Sequence, residues 1–329
     1  MSVCIVTRAN DFHAFAIADR LHTHGIESVI VETDALSGQA GMSWRPGSDS
    51  AQFALRDRVG ATVRPADLDV VWWRRLTGEP RIPGNVADPA ARDLIARDCR
   101  ATLTGGFATS FAGRWVSHPE HTRAAEFKLV QLQAAAALDL RLPQTLVSQD
   151  PAEIRSFFKG LDGVIVKPVA GTPLTPLLTG RVSEEMLADD DALALTPAIY
   201  QHLIEGERHL RVCVFGDEIY AARLTSERLD WRYPLDVGCE RVTLERELGR
   251  KLCAFLRALN LRMGIFDLKE ATSGEPVFLE VNPQGQFLFL EGLCGMPLTD
   301  AFTDFMKSEL FEARRARAAA PVEAAANAA

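Results

Sequence analysis

The sequence predicts a mixed α/β protein with a small parallel α/β domain at the N-terminus, a central α/β subdomain and a C-terminal antiparallel-sheet subdomain. Three observations support this fold class. Strand and helix patterns alternate at the start of the chain, as they do in parallel sheets. Strand patterns follow one another across tight turns in the second half, as in antiparallel sheets. The length of 329 residues exceeds that of one ordinary domain.

The N-terminal domain is predicted to span residues 1–117. Apolar spacing marks its elements, which are a strand at 3–6, a helix at 12–24, strands at 28–31 and 68–75, and a helix at 87–111 that ends or is interrupted at Gly105-Gly106. The β-α-β opening predicts a small open parallel sheet. No G-x-G-x-x-G segment follows its first strand, so the sequence carries no dinucleotide-binding fingerprint.

The central subdomain is predicted to span residues 118–198, and the C-terminal subdomain residues 199–310. Their elements are a helix at 119–138, a strand at 142–147, a helix from Asp150-Pro151, strands at 163–167, 199–204, 210–215 and 218–224, a helix at 244–259, strands at 264–269 and 277–282, and a helix at 297–306. Residues 311–329 are rich in alanine and weakly patterned, so a disordered tail is predicted there.

Composition narrows the class of partner. The formal net charge is −8, and lysine and arginine form no long basic stretch, which argues against nucleic-acid binding. No apolar run approaches the roughly 20 residues that cross a membrane, and the N-terminus is already a strand, so we expect a cytoplasmic protein. Six cysteines without a C-x-x-C pair are expected to be free thiols. A homodimer is the base-rate expectation.

The last two strands carry a pair of acids. If their hairpin is centred on Ser273-Gly274, Asp267 lies directly opposite Glu280, with the two Cβ atoms within about 5.5 Å. Asn282 lies two residues further along and shares their face. Two carboxylates at this distance repel each other unless a cation lies between them, and their oxygen atoms suit Mg²⁺. A hairpin with two solvated acids is the simpler alternative, but large apolar residues surround both positions.

Two lysines are candidates for phosphate contacts. Lys167 ends a buried strand and precedes a loop of proline, threonine and one glycine, Gly171, where backbone N–H groups can cover phosphates. Lys128 lies within a predicted helix, where most lysines are solvated. Either lysine taken alone is compatible with an ordinary surface role.

The strand at 199–204 and the strand after it contain further polar positions. The first leaves the core into a polar segment, Glu205-Gly206-Glu207, where exposed backbone groups can pair with an adenine edge or simply end a strand. On the second, Arg211 shares a face with Cys213 and Phe215, where a guanidinium is costly unless an anion pairs with it.

Taken in order, these segments resemble the ATP-grasp superfamily over residues 115–308. The segments are Ala125-Glu126-Phe127-Lys128, Val166-Lys167-Pro168, Gln201-His202-Leu203-Ile204, Leu210-Arg211-Val212, Gly264-Ile265-Phe266-Asp267 and Phe278-Leu279-Glu280-Val281-Asn282-Pro283. Within that superfamily the chain is similar to the graspetide (microviridin-type) peptide maturases and to the ribosomal-protein glutamate ligases. The stretches that suggest this are 70–75, 230–232 and 282–291.

The resemblance implies an ATP site between the last two subdomains. Its nucleotide contacts would be Lys128, Lys167 and Gly171 for the phosphates, Leu203 and Ile204 for adenine through the backbone, Gln201 beside them, and Glu207 for the ribose. His202 stands where the family usually has an acid, and the loop around Gly171 is poorer in glycine than usual.

The resemblance also implies the reacting centre. Asp267, Glu280 and Asn282 would bind two Mg²⁺ ions, and Arg211 with Arg232 would stabilise the γ-phosphate and an acyl phosphate. The absence of a recognisable nucleophile–base arrangement is consistent with chemistry that depends on positioning.

The activity implied is ATP-dependent ligation of a carboxylate to a hydroxyl or amine, closing rings in a ribosomal precursor peptide with a leader and a core of acidic, Ser/Thr and Lys residues. Arg74 and Arg75 are candidate contacts for the acidic core, and both are equally compatible with a structural role. A ligase for free amino acids or other small molecules is one alternative. A non-catalytic ATP-binding module is another, although the retained lysine, arginine and acid motifs argue against it.

Overall fold

The computed structural model describes residues 2–38, 41–47, 52–57, 59–75, 81–170, 179–232 and 235–326, with side chains to residue 319. The chain divides into two compact units. Unit 1 comprises residues 1–120 and 297–329, and unit 2 comprises residues 121–296. The sequence-based division assigns 297–310 to the C-terminal subdomain, whereas the structure places this segment in unit 1.

Unit 1 begins with alternating strands and helices. Its strands are β1 (Val3–Thr7), β2 (Ser28–Glu32), β3 (Ser43–Arg45), β4 (Gln52–Arg56), β5 (Thr62–Val63), β6 (Val70–Trp73) and β7 (Arg114–Val116), and its first helices are α1 (Phe12–Thr23) and α2 (Pro89–Ser110). The predicted parallel sheet is confirmed, with the strand order β2-β1-β6-β7. The short strands β3, β4 and β5 form a second, antiparallel sheet.

Helix α2 continues through Gly105-Gly106, where the sequence predicts an end or interruption. A Cβ atom on Gly106 would lie 2.5 Å from the ring of Phe53 on β4. Glycine is therefore required at this position by close packing between helix and strand, and it does not mark a helix terminus.

Unit 2 contains two antiparallel sheets. The elements after β7 are α3 (Pro119–Glu126), α4 (Lys128–Ala137), β8 (Thr145–Ser148), α5 (Pro151–Phe158), β9 (Val164–Pro168), β10 (Gly180–Arg181), α6 (Glu184–Ala188), α7 (Asp190–Ala194), β11 (Ala198–His202), β12 (Arg208–Phe215), β13 (Glu218–Thr225), β14 (Gly238–Val242), α8 (Arg246–Ala258), β15 (Met263–Glu270), β16 (Pro276–Asn282) and α9 (Phe289–Cys294). One sheet has the order β10-β9-β11-β8, and the other β14-β13-β12-β15-β16.

The single helix predicted at 119–138 is two helices, α3 and α4. Phe127 separates them because its backbone is extended, with φ −71° and ψ 115°. The break places Lys128 at the first position of α4, so its side chain starts from a helix terminus and not from a helix face.

The last helix, α10 (Leu298–Ala326), corrects the predicted tail. The described side chains after residue 310 have partners within unit 1: Arg314 and Arg317 contact the carboxylate of Asp69 at 3.2 and 3.0 Å. The predicted disorder from residue 311 is therefore wrong for the first part of this segment, because an alanine-rich sequence with two anchoring arginines continues the helix.

The five-stranded sheet of unit 2 has one face in the core. Alternate residues of β12 and β15, including Val212, Val214, Phe266 and Leu268, pack with Phe255 of α8 in one apolar cluster. The opposite face carries the polar residues of these strands, because successive side chains of a strand point to opposite sides.

Candidate active site

Three charged residues form a row across adjacent strands of this polar face. Arg211 of β12 lies opposite Asp267 of β15, and Asp267 lies opposite Glu280 of β16. The predicted pairing of the two acids is therefore confirmed. Arg211 is buried, and Asp267 and Glu280 are half-buried.

A β-bulge sets the orientation of Glu280. The pairing shifts by one residue between Asp267 and Leu268, because Leu268 lies opposite Phe278 and Leu279 is the extra residue of β16. Phe278 belongs to the apolar core. Without the bulge, Glu280 would point to the same side as Phe278, so the extra residue turns its carboxylate towards Asp267.

Arg211 is held by two hydrogen bonds. Its Nη1 donates to Asp267 Oδ2 at 2.6 Å, and its Nη2 donates to the carbonyl oxygen of Gln286 at 2.8 Å. The rings of Trp231 and Phe289 lie 5.9 Å from the guanidinium carbon. Nε is buried and has no hydrogen-bond partner among the described residues. The guanidinium is thus fixed, and its Nε donor is still available.

Glu280 forms an ion pair with Lys128. Gln131, one turn further along α4, holds this helix to β16: its Nε2 donates to the carbonyl oxygen of Val281 at 2.9 Å, and its Oε1 accepts from the N–H of Val281 at 3.0 Å. Sequence reasoning missed Gln131, although a glutamine among apolar and alanine residues was an available indication. It positions the lysine and the acid relative to each other.

Lys167 lies on β9, opposite Ile199 of β11. Burial lowers the pKa of its ammonium group, while the carboxylate of Glu280 has the opposite effect. The ammonium group has no hydrogen bond or ion pair with the described residues. Gly171, predicted to act with it, lies outside the described residues.

A cavity of about 320 Å³ unites most of these side chains. It is lined by Lys128, Lys167, Pro168, Val169, Ala170, Thr179, His209, Leu229, Asp230, Trp231, Arg232, Asp267, Leu279 and Glu280. Five of the residues predicted for the site therefore line the same cavity, namely Lys128, Lys167, Arg232, Asp267 and Glu280. His209 was not predicted, and Asp230 belongs to the stretch 230–232 but was assigned no role in the site.

Arg232 is paired with Asp230, which lies two residues earlier in the chain. Its Nε donates to Asp230 Oδ1 at 2.8 Å and its Nη2 to Asp230 Oδ2 at 2.5 Å. These hydrogen bonds raise the pKa of Arg232, and burial opposes them. The guanidinium thus remains charged at the mouth of the cavity.

The residues expected to contact adenine and ribose lie at the end of β11 and beyond it. Gln201 is buried: its Nε2 donates to Thr145 Oγ1 at 2.9 Å, and its Oε1 has no partner among the described residues. The N–H of Leu203 already donates to the carbonyl oxygen of Gly163 at 2.9 Å. Ile204 is half-buried, and Glu207 is exposed. None of the four borders the cavity described above.

The acids and Asn282 are suited to a hard cation. Asn282 lies two residues beyond Glu280 on β16, and its Oδ1 accepts from the N–H of Gln284 at 3.1 Å. Burial raises the pKa of Asp267, and Glu280 adds to this effect against the charge of Arg211. A divalent cation between the carboxylates would favour their ionised forms. Among the described residues, no group of three or more His, Cys, Asp or Glu side chains could form a larger metal cage.

Arg74, a predicted substrate contact, has a structural position in unit 1. Its side chain is fully buried, its Nε donates to Asp11 Oδ2 at 2.6 Å, and its guanidinium lies 5.0 Å from the ring of Trp72. Contact with a substrate is excluded in this arrangement, because no part of the side chain reaches the surface. Arg75 is half-buried, and its role remains a prediction.

The fold of the chain is that of ATP-grasp ligases. Residues 2–123 match the family model described as the MvdD pre-ATP grasp domain. None of the curated protein sequences matches the chain. Among the helices in the described part of the chain, none is long and apolar enough to span a bilayer.

Solved structures resemble the chain over nearly its whole length. Macrocyclase MdnC from Microcystis aeruginosa MRC, bound with precursor peptide MdnA, has a TM-score of 0.85 at 23% identity, covering 94% of this chain and 100% of that one. A RiPP-associated ATP-grasp ligase from Chryseobacterium gregarium, in complex with ADP and a leader and core peptide, has a TM-score of 0.83 at 22% identity, with coverages of 94% and 97%. Macrocyclase MdnB from the same Microcystis strain has a TM-score of 0.78 at 27% identity, with coverages of 92% and 98%.

Proposed function

We propose that this chain activates side-chain carboxylates of a ribosomal precursor peptide as acyl phosphates and joins them to hydroxyl or amine groups of the same peptide. The observation that carries the proposal is the row Arg211–Asp267–Glu280 beside Lys128 and Lys167. It combines two acids suited to a cation with three positive groups suited to phosphates, all in unit 2.

In the proposed site, separate groups of residues contact the phosphates, the adenine and the ribose of ATP. Lys128 and Lys167 are the contacts for the α- and β-phosphates, and Gly171 belongs to the covering loop. The backbone of Leu203 and Ile204 is the adenine contact. The buried Oε1 of Gln201, which has no described partner, is suited to accept a hydrogen bond from the amino group of adenine. The exposed Glu207 is a candidate for the ribose.

Asp267, Glu280 and Asn282 are the proposed ligands for Mg²⁺, with a site for two ions. When bound, Mg²⁺ would neutralise charge on the β- and γ-phosphates. The ion pairs that Asp267 and Glu280 make with Arg211 and Lys128 compensate the charges of these half-buried acids. Arg211 and Lys128 would then lie next to the phosphates that the bound cation contacts.

The proposed reaction has two steps. A carboxylate oxygen of the peptide attacks the γ-phosphorus of ATP, the bond to the β-γ bridging oxygen breaks, and ADP leaves. A hydroxyl or amine then attacks the acyl carbon, inorganic phosphate departs, and an ester or amide remains. Arg211 and Arg232 hold the transferring phosphoryl group and stabilise the charge that develops on it. Each bond formed removes one water from the mass of the peptide.

The peptide substrate is proposed because MdnC and the Chryseobacterium enzyme were solved with precursor peptides. Arg75 is the remaining candidate for an acidic residue of that peptide. Burial lowers the pKa of its guanidinium, against the attraction of Asp11, and Arg8 adds repulsion. It has no ion pair with the described side chains, so an incoming carboxylate would stabilise it.

The test uses the full chain with ATP, MgCl₂ and a synthetic precursor peptide of matching leader and acidic Thr/Lys core. ADP release and peptide mass are followed together. Wild type is expected to release ADP and to remove one water per bond. The double variant Asp267→Asn with Glu280→Gln is expected to do neither. The control is Glu184→Gln with Asp191→Asn, which removes the same charge from exposed positions of unit 2 and is expected to remain active.

The outcomes distinguish the alternatives. Full activity in the double variant contradicts the proposed site. ADP release with free amino acids but not with the peptide identifies a small-molecule ligase, and ATP binding without phosphate release under any acceptor identifies a non-catalytic module. For Arg75, the variant Arg75→Gln is expected to raise KM for the peptide about tenfold while KM for ATP is unchanged.

A further inference from the structure

Cys239 lies at the edge of the polar face of the five-stranded sheet. Arg211 of β12 lies opposite Ala222 of β13, which in turn lies opposite Arg241 of β14. Cys239 precedes Arg241 by two residues on the same strand, so its side chain lies on the same face as Arg211. The residue does not line the cavity that unites the site. It is therefore a chemical group of this face that the proposed reaction does not use.

Helix α9 packs against β14 and connects Cys239 to the surroundings of Arg211. At the start of the helix, the ring of Phe289 lies 5.9 Å from the guanidinium carbon of Arg211. At its end, Nε of Arg241 donates to the carbonyl oxygen of Cys294 at 3.0 Å. The last residue of α9 is thus held against the strand that carries Cys239.

The thiols of Cys239 and Cys294 are in contact. The thiol of Cys239 is hydrogen-bonded to that of Cys294, whose own Sγ donates to the carbonyl oxygen of Leu290 at 3.3 Å. Both cysteines are half-buried, so a small reagent can reach them, whereas Cys213 on the same face of β12 is buried. The pair combines the proximity and the access that disulfide formation requires.

Cys239 holds its proton strongly. Burial, and after it the hydrogen bond with Cys294 and the charge of that residue when it is ionised, raise the pKa of Cys239 to about 12. The thiolate is the attacking species in disulfide exchange. Attack on an oxidant is therefore expected to start from Cys294. Once the sulfur of Cys294 is part of a mixed disulfide, it carries no charge that opposes ionisation of Cys239.

We propose that Cys239 and Cys294 form a reversible disulfide and that this bond slows the ligase. The oxidant is a low-molecular-weight disulfide such as oxidised glutathione. The thiolate of Cys294 attacks one sulfur of glutathione disulfide, and the first glutathione leaves and takes up the proton that Cys294 lost. The sulfur of Cys239 then attacks Sγ of Cys294, and the second glutathione leaves with the proton of Cys239. Two cysteine thiols are oxidised, and one glutathione disulfide is reduced to two glutathione molecules.

The effect on rate rests on the proposed function, in which Arg211 holds the transferring phosphoryl group. The sulfur atoms of a disulfide lie about 2 Å apart, closer than two hydrogen-bonded thiols, so the bond draws the end of α9 towards β14. Because α9 is one short helix, Phe289 moves with Cys294. Gln286, whose carbonyl oxygen accepts from Arg211, lies three residues before Phe289. A displacement of about 1 Å at these contacts is expected to lower kcat about tenfold.

The experiment treats the full chain with oxidised glutathione or with dithiothreitol and then follows ADP release with ATP, MgCl₂ and the precursor peptide. A non-reducing digest analysed by mass spectrometry identifies the linked cysteines independently of activity. Oxidised wild type is expected to yield a peptide pair joined at Cys239 and Cys294 and to show about tenfold lower kcat. Dithiothreitol should restore the rate, because it reduces the bond.

Three variants isolate the pair. Cys294→Ser should keep its kcat after oxidation, because the attacking thiol is absent. Cys239→Ser should carry one glutathione on Cys294, because the second thiol that would displace it is absent. Cys99→Ser is the matched control: it removes a half-buried thiol of α2 in unit 1 and should respond to oxidation as wild type does.

The inference is overturned if the digest contains no link between Cys239 and Cys294, if linked wild type keeps its kcat, or if oxidation slows Cys294→Ser as much as wild type. Failure of reduced wild type to release ADP or to modify the peptide would overturn the proposed function instead. In that case the digest still decides whether the two thiols join, so the two failures are distinguishable.

Discussion

Arg211 Nη1 and Asp267 Oδ2 lie 2.6 Å apart, from directly opposite positions on two central strands. The same guanidinium donates to the carbonyl oxygen of Gln286. Side-chain orientation on β12 is thus coupled to the backbone of the loop after β16. A group held at both ends can stabilise a developing charge without reorganising during the reaction.

Replacing Arg211 is expected to affect turnover more than nucleotide binding. Lysine keeps the charge but offers a single ammonium group, which cannot reach Asp267 and Gln286 in the geometry of the fork. Arg211→Lys should lower kcat by about 100-fold or more, with a smaller change in KM for ATP. Steady-state ADP release measures both constants. An unchanged kcat would mean that the guanidinium has no role in phosphoryl transfer.

Sequence reasoning predicted the acid pair correctly although it misplaced the turn. A hairpin centred on Ser273-Gly274 gives residue numbers that sum to 547, which Asp267 and Glu280 satisfy. In the structure the pairs nearer the turn, such as Glu270 with Pro276, are one residue out of that register, and the bulge at Leu279 restores it. The bulge depends on packing of Phe278 in the core, which no local pattern reveals.

Other features depended on tertiary contacts. The parallel opening of unit 1 and the antiparallel sheet of unit 2 follow from periodicity and turn residues, and both were predicted. The break at Phe127 was not, because no proline or glycine marks it. His209 and Asp230 became candidates only when folding brought them to the wall that Lys167 shares.

Gln131 is expected to be essential for the position of Lys128. Gln131→Leu removes hydrogen bonds to both backbone groups of Val281 and to the carbonyl oxygen of Ala125. Leaving buried backbone groups unpaired should destabilise the protein by about 2 kcal/mol and raise KM for ATP. Gln133→Leu is the matched control, because Gln133 is exposed on the same helix. Equal unfolding curves for the two variants would refute this role.

Gly285 is expected to tolerate no side chain. A Cβ atom there would lie 2.8 Å from Cβ of Ile265 on β15, so the loop that carries Gln286 must move. Gly285→Ala should lower kcat by displacing the carbonyl oxygen that Arg211 uses, with about 1–3 kcal/mol of destabilisation. At Gly292 in α9 a Cβ atom would meet nothing within 4 Å. Gly292→Ala should therefore leave activity and stability intact, and a similar loss in both variants would contradict the packing argument.

The pair Asp11–Arg74 is expected to make unit 1 sensitive to acid. Burial raises the pKa of Asp11, but the charge of Arg74 and hydrogen bonds from Thr7 and Arg74 outweigh it, so the net shift is downward. A carboxyl group whose folded pKa lies below its unfolded value of about 3.9 stabilises the protein above that value. This contribution is lost as the pH falls through the folded pKa.

Asp11→Asn isolates the charge, because asparagine can still cap α1 by accepting from the N–H of His13. At pH 7 the variant should be less stable by about 3 kcal/mol, since Arg74 is left buried without its anion. The difference from wild type should shrink as the pH falls below about 4, where the carboxyl group of the unfolded wild-type chain becomes protonated, and should be smallest below the folded pKa. Urea unfolding from pH 7 to pH 3 measures it. Asp88→Asn at the exposed cap of α2 should change stability little at any pH. A difference that stays constant for Asp11→Asn across this range would show that the ion pair is not its source.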